Sequence, residues 1–241
     1  MTTKIEIKGK LPKNPVVMEG FPSMGFVSTI ATRYMIDELK MEEIGCIKSD
    51  RVKSIVVVHD SKPMHPIRIY GKDNLVLVFS EVSVPIPHTG EFSSVFGKWF
   101  KEINPEKVIL LAGISGKGTD KEHEIFGVAS NGELEKELER LDVSKIEEGI
   151  LTGISSELLL DCIENKIPVI SLMAETRYIP DPLGAASMIK ILNGLLGLNV
   201  DTKNLSEKGK EIEEKFKEIA EQLKKGKEDH KGVGEYSPMY G

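Results

Sequence analysis

The chain has 241 residues, 40% hydrophobic and 29% charged, with a formal net charge of −6. That length fits one large α/β domain with an appendage, or two small domains, and the acidic balance argues against a nucleic-acid or anionic-membrane surface, where a basic stripe is expected. Cys46 and Cys162 read as reduced core thiols, no apolar run is long enough to span a bilayer, and the first residues lack the apolar centre of a signal peptide, so a cytoplasmic protein is expected.

Pro15-Val16-Val17-Met18-Glu19 reads as the first strand. It runs into the turn Gly20-Phe21-Pro22-Ser23-Met24-Gly25. Val27, Ile30, Ala31, Tyr34, Met35 and Leu39 then recur at helical spacing, with Ser23 as a candidate cap. Four short Val/Ile-rich strands are expected next, at Ile44–Ile47, Ser54–His59, Ile67–Tyr70 and Leu75–Glu81. Four strands without an intervening helix argue for a mixed sheet with an antiparallel excursion. Phe92, Val95, Phe96, Trp99, Phe100 and Ile103 mark a strong helix, with Thr89 as its candidate cap and Asn104-Pro105 as its stop. Its aromatic stripe reads as core packing, with a helix face buried between subunits as the alternative.

Lys107–Ala112 is almost continuously apolar, as in a buried central strand. Gly127–Asn131 reads as a short strand, followed by a helix through Leu134, Leu138 and Leu141. Gly149–Gly153 reads as a strand, and Ser155 as the cap of a helix through Leu158, Leu159, Cys162 and Ile163. Ile167–Ala174 is a second apolar strand. Asp181-Pro182, a cap followed by proline at the first helical position, opens a helix carrying Ala185, Ala186, Ile189, Leu192 and Leu195. The core domain is thus expected over residues 1–202. Residues 203–225 form an amphipathic helix capped at Asn204, with a narrow stripe of Leu205, Ile212, Phe216, Ile219 and Leu223. Phe216 and Leu223 are candidate oligomer contacts on it. Residues 226–241 are polar and Gly/Pro-containing, and read as a flexible tail.

The chemical motifs are weak. Gly113-Ile114-Ser115-Gly116-Lys117-Gly118-Thr119 follows a strand but fails as a P-loop, because Gly118 stands where Ser or Thr would reach magnesium. Gly153-Ile154-Ser155-Ser156-Glu157 lacks the second glycine of a nucleophile elbow. The histidines have no metal-ligand spacing. No cofactor and no metal are expected. Glu175 and Arg177, at a strand's C-terminal end, fit either an active site by the open-sheet rule or an ion pair at a subunit contact.

Taken in order, five segments resemble the proteasome assembly chaperone family in its archaeal form. They are Gly20–Phe26, Arg68-Ile69-Tyr70, Phe126–Asn131, Gly153-Ile154-Ser155, and Leu172–Thr176 with Asp181-Pro182. The resemblance implies a three-layer αβα fold, like that of nucleoside phosphorylases and hydrolases without their catalytic residues. It also implies a homo-oligomer, and proteasome α subunits or the α ring as partners, rather than nucleic acid or membrane. The ending Met239-Tyr240-Gly241 is similar to the hydrophobic–tyrosine–any residue ending of proteasome activators. A terminal carboxylate can pair with a lysine between α subunits, and the ring of Tyr240 adds apolar area. The expected function is ATP-independent docking or assembly. An enzyme of the phosphorylase or hydrolase kind, using Glu19, Glu81, Glu175 or Arg177, and a purely structural oligomer are the alternatives.

Overall fold

A computed structural model describes residues 3–52, 55–116, 123–176 and 179–205. Eleven strands and five α-helices appear among them. The strands are β1 Lys4–Ile7, β2 Val16–Gly20, β3 Glu42–Lys48, β4 Val57–His59, β5 Lys62–Met64, β6 Ile67–Lys72, β7 Leu75–Ser80, β8 Lys107–Ser115, β9 Ile125–Ala129, β10 Ser144–Lys145 and β11 Val169–Thr176. The helices are α1 Val27–Leu39, α2 Thr89–Ile103, α3 Gly132–Glu139, α4 Ile154–Glu164 and α5 Pro182–Leu196.

Nine strands form one sheet in the order β1-β3-β6-β7-β2-β8-β11-β9-β10. Its centre, β7-β2-β8-β11, is parallel. The β1-β3-β6-β7 side is antiparallel, as a succession of strands without a helix implies, but only three of the four strands expected there, β3, β6 and β7, belong to it; the one expected at Ser54–His59 is β4, outside the sheet. β4 and β5 pair with each other as a separate hairpin.

The central strands are apolar on both sides because both sides are covered. Met18, Leu77, Phe79, Ile109, Leu111 and Leu172 face α1 and α5 in one core cluster. Val17, Val76, Val78, Val108 and Leu110 face α2 and α4 in the other. The result is the three-layer αβα arrangement. The aromatic stripe of α2 is core: Phe92, Phe96 and Phe100 are fully buried, and Trp99 nearly so. Both cysteines are free and buried, and burial pushes the Cys162 thiol up to about 12. The segment after α5 stays attached to the core. The Tyr34 hydroxyl donates to the Asp201 carbonyl at 2.7 Å, Asn193 brackets Val200, and Leu205 is fully buried among the α1/α5 residues.

Several expectations need correction. Residues 149–153 form no strand. Ile150 is 92% exposed, and Gly153 at φ +93° turns the chain into α4. The strand near that point is Ser144–Lys145, which joins β9. Ile150 and Leu151 between glycines imitate a strand, but only Leu151 packs against the core, and the run pairs with no strand. β1 was not anticipated, although Ile5 and Ile7 alternate with Lys4 and Glu6, and neither was β5, whose Pro63 argues against a central strand. Three candidate caps do other work. The Ser23 hydroxyl bonds Ser28 and accepts from the Gly113 amide. Thr89 lies inside α2 and donates to the Ile86 carbonyl. Ser155 lies inside α4 and donates to Glu19. Asp181 does cap α5, accepting from the Gly184 amide at 2.8 Å.

Candidate functional site

Open α/β sheets place ligands at the carboxyl ends of their parallel strands, and that edge gathers most of the buried polar groups here. β2 ends in Glu19-Gly20. Glu19 is 1% exposed. One of its oxygens accepts from the Phe21 amide at 2.6 Å and the other from the Ser155 hydroxyl at 2.9 Å. Burial raises its pKa to about 7, against the opposing pull of the Phe21, Ser155 and Leu111 donors. The carboxyl group therefore ties the end of β2 to the first turn of α4.

The turn after β2 is set by close packing. A side chain at Gly20 would sit 2.2 Å from Thr32. Gly25 at φ +66° and Phe26 at φ +53° hold the left-handed conformations that start α1. Phe21 packs edge-on against Phe92 and Phe96 of α2. The turn also meets the glycine-rich end of β8, where a Cβ on Gly113 would lie 2.0 Å from the Met24 carbonyl oxygen. The Gly113 amide donates to Ser23 and the Gly116 amide to the Thr176 carbonyl. A phosphate cradle needs such amides free and convergent, whereas these two are bonded to protein. Gly116 has no side chain because Glu175 lies against it.

At the end of β11, the Thr176 hydroxyl donates to Asp181. The Asp181 amide donates to the Gly25 carbonyl at 2.8 Å. The His123 ring, fully buried, sits with Nε2 3.2 Å from Asp181 Oδ1 but outside hydrogen-bonding geometry. The His123 amide donates to the Ser187 hydroxyl at 2.9 Å.

A second polar knot lies beyond β7. Arg68 is fully buried and donates to Glu81 at 2.8 Å. Its guanidinium stands 5.4 Å from the centroid of the Phe79 ring. The other Glu81 oxygen meets His59 of the β4–β5 hairpin at 2.5 Å, and Met64 of the same hairpin accepts from Arg68 at 3.1 Å. Glu19 and Glu81 thus belong to different knots: Ser155 on α4 holds the first, and Arg68 over Phe79, on the α1/α5 side, holds the second. Each carboxylate is bonded inside the protein.

Of the residues singled out from the sequence, Glu175 is described: it is partly buried, its amide donates to the Glu124 carbonyl, and its side chain packs on Gly116. Arg177, Phe216, Leu223, Met239, Tyr240 and Gly241 lie outside the described residues. Sequence reading missed the Glu19–Ser155 bond and the Arg68–Glu81–His59 knot. An acidic residue ending an apolar strand, and an arginine inside Ile67-Arg68-Ile69, were the available signals, since a buried charge demands a partner.

These contacts also account for the five segments of the resemblance. Gly20–Phe26 forms the turn. Arg68 holds Glu81, and Asn131 caps α3 by accepting from Glu133 and Leu134. Ser155 holds Glu19, and Thr176 with Asp181 locks β11 to α5.

Comparison with known proteins agrees. A sequence model of the PAC2 family matches residues 17–220. A protein of Methanocaldococcus jannaschii, itself uncharacterised, is 33% identical over 194 residues, 80% of each chain. Pyrococcus furiosus PbaA, an archaeal homolog of proteasome-assembly chaperone, superposes with a TM-score of 0.82 at 30% identity, covering 92% of this chain and 99% of PbaA. P. furiosus PbaB, an archaeal proteasome activator, shares the fold at a TM-score of 0.75 and 22% identity, over 91% of this chain and 99% of PbaB. With its motif residues placed as turns, caps and buried knots, and a family match spanning most of its length, the chain belongs to the PAC2 family.

Proposed function

We propose that this protein is an ATP-independent proteasome assembly chaperone or docking factor. It acts in the cytoplasm as a homo-oligomer and binds proteasome α subunits or the α ring through Met239-Tyr240-Gly241. The observation that carries the reading is the likeness to PbaA, a proteasome-assembly-chaperone homolog, over 92% of this chain and 99% of PbaA at 30% identity. The carboxyl edge of the sheet supports a binding role over a phosphorylase-like one, because Glu19 and Glu81 are each bonded within the protein. The Gly113 and Gly116 amides are bonded likewise. The terminal tripeptide has the chemistry for a pocket between subunits: a carboxylate for a lysine, a ring for apolar area, and an apolar residue at the entrance.

The test is surface plasmon resonance on immobilised α rings with the wild type, Tyr240→Ala and a chain ending at Lys225. Truncating a buried aromatic anchor typically costs about 2 kcal/mol or more, which is roughly thirtyfold in affinity for one tail and more for several acting together. Equal binding by all three proteins overturns tail docking.

A further inference from the structure

The outward faces of α2 and α4 carry charges, several of which have no partner among the described residues. The two helices lie side by side, and an open trough of about 330 Å³ runs between them. Gly97 and Asp161 both line it, and a Cβ on Gly97 would sit 2.3 Å from the Asp161 carboxylate. One oxygen of that carboxylate is sealed from solvent with no hydrogen-bond donor among the described residues. Lys98 and Lys101 stand on the α2 rim, and Glu157 and Glu164 on the α4 rim. Among the described residues the side chains of Lys98, Glu157 and Glu164 enter no ion pair or hydrogen bond. Leu160, between the two glutamates, is 57% exposed.

Two parallel rows of opposite sign flanking one trough make a self-complementary patch. A two-fold axis along the trough lays the α2 row of a second copy over the α4 row of the first, and the reverse, which is the isologous geometry closed dimers require. The lysine row of each copy then lies over the carboxylate row of the other, with Leu160 on the covered face. We infer that the α2–α4 face is the surface through which two copies of this chain associate. The inference rests on the self-association in the reading above and adds its location. A foreign partner would have to bring a matching pair of rows of its own, whereas a second copy already carries it.

Charge reversal in pairs tests this. Lys98→Glu with Lys101→Glu leaves only carboxylates as the charges on the face, and Glu157→Lys with Glu164→Lys makes both rims basic, with Asp161 as the one remaining carboxylate. All four side chains are exposed, so both variants should melt near the wild-type temperature. Native mass spectrometry and light scattering at micromolar concentration should show each variant alone in a smaller species, with its dissociation constant raised at least about a hundredfold, because like charges brought face to face cost several kcal/mol. An equimolar mixture should recover the wild-type mass, with the two variants alternating across the face. Wild-type mass in both single preparations overturns the inference and places the contact on another face. Loss of mass that mixing does not restore also overturns it. A monomeric wild type overturns it together with self-association itself, while α-ring capture through the tail would still be measurable.

Discussion

Glu19 sets the pH response that belongs to a single residue. Its pKa rises from an ordinary 4.5 to about 7 because burial penalises the carboxylate. The folded state then holds a proton that the unfolded chain has released. Stability tied to that proton is fully present below about pH 4.5, is lost as pH rises toward 7, and is absent above it. The loss is on the order of 3 kcal/mol if the shift is fully expressed. Glu19→Gln keeps the shape without the charge; its oxygen can still accept from the Phe21 amide, while its NH2 would donate to the Ser155 hydroxyl oxygen in place of accepting from it. Melting curves from pH 5 to pH 8 should therefore show a smaller fall for Glu19→Gln than for wild type; parallel curves would refute the assignment. Gly113 makes a steric prediction. Gly113→Ala drives a Cβ into the Met24 carbonyl oxygen and should cost about 1–3 kcal/mol, as overpacking does. Gly132→Ala, with nothing within 4 Å of the added carbon, should be neutral or slightly stabilising in the same melting assay.

Among the elements, the β4–β5 hairpin is the one most dependent on polar fastening. Its ladder is internal, and Val58 on its outer side is 62% exposed. His59 and Met64 attach it to Glu81 and Arg68. Glu81→Ala leaves the Arg68 guanidinium buried without a carboxylate and should cost about 3–5 kcal/mol in denaturant unfolding. Arg68→Met combined with Glu81→Gln should recover much of that, because removing both charges also removes their desolvation penalty. His59→Ala leaves the Arg68–Glu81 pair in place. Its expected signature is local: faster amide exchange at residues 57–64 with little change in the global midpoint. Global destabilisation as large as that of Glu81→Ala would show that the hairpin is part of the cooperative core.

At the scale of the molecule, the chain beyond α5 divides by what it touches. Leu205 is fully buried against the α1/α5 layer, and Asp201 accepts from Tyr34. A chain ending at Lys203 loses Leu205 and should be less stable by about 2–5 kcal/mol, the usual cost of emptying a buried leucine site. A chain ending at Lys225 keeps it and should melt like wild type while losing α-ring capture. Those two truncations separate the folding role of residues 198–205 from the docking role proposed for the last three residues.

What the sequence determined by itself was the periodic part. Val/Ile runs bounded by Gly and Pro marked the central strands, the 3.6-residue recurrence of Phe92, Phe96 and Phe100 marked α2, and Asp181-Pro182 marked the start of α5, because local spacing alone dictates which face is apolar. Successive strands without a crossover helix foretold the antiparallel side of the sheet, although the strand expected at Ser54–His59 folds outside it as β4. Hydroxyl positions and isolated charges were decided only in three dimensions. Ser23, Thr89 and Ser155 all stand where a cap is plausible, yet Ser155 bonds Glu19, 136 residues away in the chain. The same holds for Arg68, whose partners Glu81 and His59 come from another strand end and a separate hairpin. A hydrogen bond is satisfied by whatever donor the fold brings within 3 Å, and sequence spacing carries no record of which one that is.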